Sequence, residues 1–264
     1  STSTATGKGN DAYGIGVNGV DGLIVEDNLI EVNANQMAFG VALTSGSSNV
    51  LVEDNDIEAV GTGAIGVGIA SSTNVSVVDN NITIIGGDYT SIETWDSLGT
   101  ANAAILDKTS SADVGENKIS EIGFVSIDDG NFATYFDEDG KIKDDAPISE
   151  GDIIFLGELT NKNIVIDIPL IIKGENDNKL TNTSISLVAG ADGTEIAGLV
   201  FDYYDAGSTY AVISVNDGVS DVSIVGNEIN AYSAAGYNSA MAIVVYGATE
   251  ASKNILIDSN MITI

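Results

Sequence analysis

The sequence predicts an all-β fold: a right-handed parallel β-helix (solenoid) in two stacked segments joined by a loop with one short helix. Three observations predict it. A pattern centred on Asn-x-Ile recurs six times along the chain. The residues leading into each Asn alternate with a period of two, as a strand with one buried face does. A second run of small and apolar residues recurs between copies, and no helical stretch separates the two, which is the economy of a solenoid.

The copies occupy 23–30, 50–57, 75–82, 112–119, 222–229 and 255–262. Their Asn residues are Asn28, Asn55, Asn80, Asn117, Asn227 and Asn260. Six residues before each Asn stands a turn former: Gly22, Asn49, Asn74, Ser111, Asp221 or Asn254. After that turn the first and third residues are apolar or Ala in every copy, while the second varies among Ile24, Leu51, Ser76, Asp113, Ser223 and Leu256. The third residues, Val25, Val52, Val77, Val114, Ile224 and Ile257, are therefore expected to stack inside. The varied second residues are expected to point outward. In the long gap between Asn117 and Asn227, residues 163–166, 184–187 and 194–199 read as degenerate copies.

The second strand of each coil is read at 12–17, 38–43, 64–69, 211–215 and 241–245. Stacking such coils at the strand spacing of roughly 4.8 Å piles inward Val, Ile and Leu into aliphatic columns. It also places each repeated Asn over the next, where side-chain amides can bond as a ladder at the bend. A left-handed hexapeptide helix would need a strict six-residue period, which is absent. A β-sandwich would show hairpin signals without a constant Asn-x-Ile.

The pattern breaks over 126–150. Asp128, Asp129, Gly130 and Asn131 open this stretch as a turn, and Phe132, Tyr135 and Phe136 then fall at helical spacing. The chain thus divides into a β-helix segment at 1–125, a junction loop with a short helix at 126–150, and a second β-helix segment at 151–264. The last residues stop inside a repeat copy with no polar cap, so the chain is expected to be an excerpt of a longer solenoid.

Charge and missing residue types narrow the chemistry. Acidic residues number 39 against 9 basic ones, for a formal net charge of −30, and His and Cys are absent. Every basic residue is Lys. Nucleic acid as a partner is disfavoured, because phosphate recognition needs cationic side chains. No run is apolar enough for direct membrane insertion. Serine- or cysteine-histidine catalysis and thiolate or imidazole zinc sites have no residues to use. No cofactor or metal is expected beyond weak calcium binding at the acidic surface. Asp137, Glu138, Asp139 and Gly140 superficially match a calcium loop, but Lys141 and Ile142 stand where an EF-hand needs an oxygen ligand and Gly. Three sequons make Asn74, Asn81 and Asn182 candidate N-glycosylation sites.

The Asn-x-Ile turns resemble the parallel β-helix repeats of carbohydrate-processing enzymes, copper-insertion accessory proteins and many surface proteins. The junction from Asn131 to Gly140, with 152–155 and 163–166 after it, is similar to the large adhesin-like proteins of methanogenic archaea. That resemblance implies a secreted, extracellular, repetitive protein of the cell surface. Its partners would be a cell-surface polysaccharide or protein, or copies of itself. The expected role is a non-catalytic structural or adhesive rod. The alternatives are a self-assembling component of a surface layer, sheath or filament, and a polysaccharide lyase or glycosidase-like β-helix enzyme. The glycosidase pattern needs His and a basic pair that the chain lacks. A lyase would have to recruit one of the Lys residues, of which Lys108, Lys118, Lys141 and Lys143 lie nearest to acidic groups in the sequence.

Overall fold

The computed structural model describes residues 2–6, 11–87, 98–109, 111–175, 178–205, 211–233 and 241–264. They form a parallel β-solenoid divided into two compact units, Ser1–Gly123 and Phe124–Ile264. Among the described residues every pairing of strands is parallel, and an isolated antiparallel bridge joins Phe136 to Ile142.

Each coil of the first unit contributes three strands. A leading strand runs into the Asn: Ile24–Glu26, Ser48–Glu53, Thr73–Val78 and Asp113–Val114. A trailing strand leaves it: Leu29–Asn33, Asp56–Gly61, Asn81–Gly86 and the first half of Lys118–Ile127. A third strand returns the chain: Asp11–Asn18, Met37–Thr44, Gly63–Ile69 and Asn102–Asp107. Pairing keeps the repeat in register, with Val25 against Val52, Val52 against Val77, and Val77 against Val114.

The second unit uses the same plan. Its leading strands are 124–127, Ile153–Leu156, Ile171–Gly174, Glu195–Ala197, Ser223–Val225 and Leu256–Asp258. Its trailing strands are Leu159–Thr160, Lys179–Thr181, Val200–Asp205, Glu228–Ser233 and Met261–Thr263. Its third strands are Asn163–Ile166, Ser184–Leu187, Ala211–Val215 and Met241–Val245.

The bends explain the residue types of the repeat. Asp27, Asp54, Asp79, Gly226 and Ser259, each just before the repeated Asn, have φ of 54°, 52°, 57°, 63° and 54°. The turn formers Gly22, Asn49, Asn74, Asp221 and Asn254 are also left-handed, at 77°, 52°, 51°, 58° and 53°. This conformation costs an ordinary L-residue roughly 1–2 kcal/mol, and Gly, Asn and Asp tolerate it best. The small and acidic residues thus mark corners of the coil as well as surface.

Two readings of the sequence need correction. Val25, Val52, Val77 and Ile224 are buried, but Val114 is 48% and Ile257 46% exposed. Each lies on the last strand of its sheet and is covered by a neighbouring coil on one side only. The three degenerate segments are also not equivalent. Only Glu195–Ala197 pairs with Ser223–Val225 as a leading strand, whereas Asn163–Ile166 and Ser184–Leu187 are third strands. Apolar alternation is shared by all sides of a coil, so it does not reveal which side a segment occupies. Of the residues expected to point outward, Ile24 and Leu256 are exposed, and Leu51, half-buried, alternates with the buried Val50 and Val52.

The junction forms the helix Phe132–Tyr135. Phe132 and Phe136 are buried in the core of the second unit with their rings stacked 4.7 Å apart. Lys162 Nζ lies 5.1 Å from the Phe132 ring and 3.2 Å from Asp129.

The third strands of the first unit read as apolar on both faces, and Met37–Thr44 and Gly63–Ile69 are buried almost throughout. Their inner face meets the main core, and their outer face is covered in a separate cluster of Met37, Phe39, Ala42 and Ile65 with Leu98. Within these strands Gly14, Gly40 and Gly66 fall in one column. A Cβ on Gly40 would collide with Ile57 Cγ2 and the Gly66 carbonyl, and one on Gly66 with Ile82 Cγ2 and the Ala104 carbonyl. The Ile of Asn-x-Ile therefore packs directly onto a glycine backbone. Gly40→Ala is expected to destabilise the protein by about 1–3 kcal/mol through overpacking. Urea unfolding would show this as a lowered midpoint at constant slope.

Candidate functional site

The repeated Asn residues form ladders. Asn28 Nδ2 donates to Asn55 Oδ1 at 3.0 Å, Asn55 Nδ2 to Asn80 Oδ1 at 2.9 Å, and Asn80 Nδ2 to Asn117 Oδ1 at 3.0 Å. The backbone N–H of Asn28, Asn55 and Asn80 donates to the same oxygens at 3.1, 3.0 and 3.0 Å. Each amide nitrogen also reaches carbonyls at the bend: that of Asn80 donates to Val52 O at 3.0 Å and Val78 O at 2.8 Å. In the second unit Asn227 Nδ2 donates to Asn260 Oδ1 at 2.9 Å. There the preceding rung is the buried Leu199, whose N–H donates to Asn227 Oδ1 at 3.0 Å.

The sequon residues are rungs too. Asn74 donates its amide to Asn49 Oδ1, Asn81 to Asp56 Oδ1 at 2.9 Å, and Asn182 to Asn161 Oδ1 at 3.2 Å. A glycan at any of the three would replace a proton on the nitrogen that makes this bond. Other buried corner residues carry no repeated signature. Thr183 Oγ1 donates to Leu159 O at 3.3 Å and Thr181 O at 3.1 Å, and Thr194 Oγ1 accepts from Leu170 N at 3.3 Å.

Several carboxylates act as acceptors that hold turns. Asp137 Oδ1 takes the N–H groups of Asp139 and Lys141, each at 2.9 Å, so the carboxylate of the calcium-like loop is spent on its own backbone. Hydrogen bonds from the Ser48 and Asn49 side chains hold the Asp21 carboxyl below its ordinary range. The Thr249 hydroxyl, with the N–H groups of Ala248 and Thr249, does the same for Asp217. Burial pushes Asp107 up, but bonds from Thr109, Ala112 and Ser111 outweigh it and the result is lowered. Asp129 is likewise lowered, with burial outweighed by Thr160 and Lys162. These four groups are stabilised as anions, the opposite of what a general acid needs. Among the described residues, no group of three or more Asp and Glu side chains is placed to hold a metal ion.

The outer face of the third-strand sheet in the second unit carries a different arrangement. Neighbouring coils are joined there by polar rungs: Ser184 Oγ donates to Asn163 Oδ1 at 3.0 Å, Ser214 Oγ to Ser186 Oγ at 3.0 Å, and Asn216 Nδ2 to Ser186 Oγ at 2.9 Å. A cavity of about 530 Å3 opens over these rungs and is bounded by Asp217 and Tyr246. A second, of about 410 Å3, shares Asn163 and Ser184 with it and reaches Tyr203. The sequence alone does not show this face, because its residues lie in separate segments, some read as degenerate copies and some as second strands, and meet only through coil register.

Asn80→Ala is expected to cost about 2–4 kcal/mol, because it strands buried donors and acceptors at the bend. Asn74→Ala, at an exposed rung, should cost less than about 1 kcal/mol. Paired urea titrations would measure the two. The lowered Asp107 value means that its stabilisation is complete above the ordinary Asp value of 3.8 and lost as the pH falls through the folded-state value. Asp107→Ala should therefore be less stable than the wild type at neutral pH, and the gap should close in thermal melts taken below pH 3.8. No protein-family model, curated protein or solved structure matches the chain.

Proposed function

We propose that this chain is a non-catalytic structural and adhesive segment of an extracellular, cell-surface protein. The observation that carries the reading is the column of Asn rungs, which ties each bend to the next through side chain and backbone together. Such coils hold their outer faces in fixed register, as a surface that displays contacts must. The carboxylates held as anions fit a scaffold role better than proton transfer. The strong negative charge favours solubility and keeps copies apart.

A second reading, assembly of copies into a surface layer, sheath or filament, draws on outward apolar side chains: Ile24 is 57% and Leu256 54% exposed. Antibodies raised against the purified chain are expected to label intact, unpermeabilised source cells. Labelling only after permeabilisation would overturn the surface reading. Electron microscopy of the same cells separates the two roles: isolated label fits adhesion, and a regular lattice or fibre fits assembly.

A further inference from the structure

The paired cavities on the second unit differ from the other faces in chemistry. The floor of both is largely Ser and Asn side chains, joined in the larger by Val165 and Val188, and each cavity is bounded by a tyrosine. Tyr246 is 41% exposed, while Tyr203 packs partly against the core. Ser186 Oγ accepts two hydrogen bonds, from Ser214 and Asn216, and so keeps its own proton to donate outward. Asn163 uses its oxygen for Ser184, and Asn216 uses its nitrogen for Ser186. Each therefore offers the other end of its amide, a donor in Asn163 and an acceptor in Asn216.

At one end the positive charge is paired, and at the other a carboxylate stays an anion held by neutral donors. Lys162 is paired with Asp129 at 3.2 Å. Asp217 accepts from Thr249 Oγ1 at 2.7 Å and Ala248 N at 2.8 Å. Between these ends the groove offers hydroxyl and amide groups beside Val165 and Val188, with the half-exposed ring of Tyr246 at one end. The net charge of −30 also repels an anionic ligand. The floor strands Ser184–Leu187 and Ala211–Val215 are hydrogen-bonded on both sides, so a peptide cannot add there as a further strand. Both cavities fall within the roughly 300–1,000 Å3 of small-molecule sites.

We infer that this groove binds a neutral oligosaccharide. A sugar ring presents an apolar C–H face to an aromatic side chain and a rim of hydroxyls that donate and accept at once. The Asn163–Ser184 rung shared by the two cavities lets one chain lie across both, with Tyr246 at one end. The inference rests on the adhesive reading and supplies its ligand class.

The test is binding of the purified full chain to immobilised β-glucans, mannans and galactans, beside uronic-acid-bearing and sulfated glycans. Binding to at least one neutral glycan is expected. Tyr246→Ala should weaken it about tenfold, and Ser186→Ala several-fold. Tyr232→Ala, an exposed tyrosine outside the groove, should leave it unchanged. Unaltered melting curves would show that the variants fold. Binding to acidic glycans alone, no binding to any neutral glycan, or neutral-glycan binding indifferent to both groove variants would overturn the inference. Failure of surface labelling with intact glycan binding would sink the cellular reading instead.

Discussion

A buried amide at a chain bend is the interaction on which these coils depend. Turning the chain between leading and trailing strands leaves backbone N–H and C=O groups pointing into a dry corner, where each unmet group costs about 1–3 kcal/mol. One Asn side chain meets both needs: its oxygen takes the N–H of the preceding bend, and its nitrogen reaches carbonyls such as Val52 and Val78. The bond from Asn to Asn then comes from geometry already imposed. Aliphatic stacking follows, because fixed corners hold Val25, Val52 and Val77 in line. So does the glycine column, because fixed corners bring Ile57 and Ile82 onto Gly40 and Gly66.

Residues whose role repeats once per coil were legible in the sequence. The Asn column, the left-handed turn formers and the inward Val and Ile each recur at matched offsets, and recurrence is what a linear reading detects. The short helix was legible too, from Phe132, Tyr135 and Phe136 at helical spacing. Val114 and Ile257 escaped because burial in a solenoid depends on having a neighbour on both sides, and a local pattern does not encode how far a stack extends. The exchange of third strands for leading strands at 163–166 and 184–187 arose because the coils between Asn117 and Asn227 lack the repeated Asn that marks a corner. Thr183 and Leu199 stand at corners there instead, and neither residue type announces one.

The groove was illegible for a related reason. Ser184, Ser186, Ser214 and Asn216 are ordinary outward positions in short strands, separated by as many as 30 residues where they bond. Only the pairing of Ser186 with Ser214 turns them into one surface. A search for outward polar residues that align under the coil register, made after the strands are assigned, would have found them.

The same in-register stacking makes the protein a polyelectrolyte. Glu26 lies against Glu53 on adjacent strands. Parallel strands repeat at roughly 4.8 Å, so the backbones that carry these like charges lie close together. That distance is shorter than the Debye length of about 8 Å at physiological ionic strength, so dilute salt screens them incompletely. Like charges aligned in this way oppose the stacking of coils, and added salt screens that opposition.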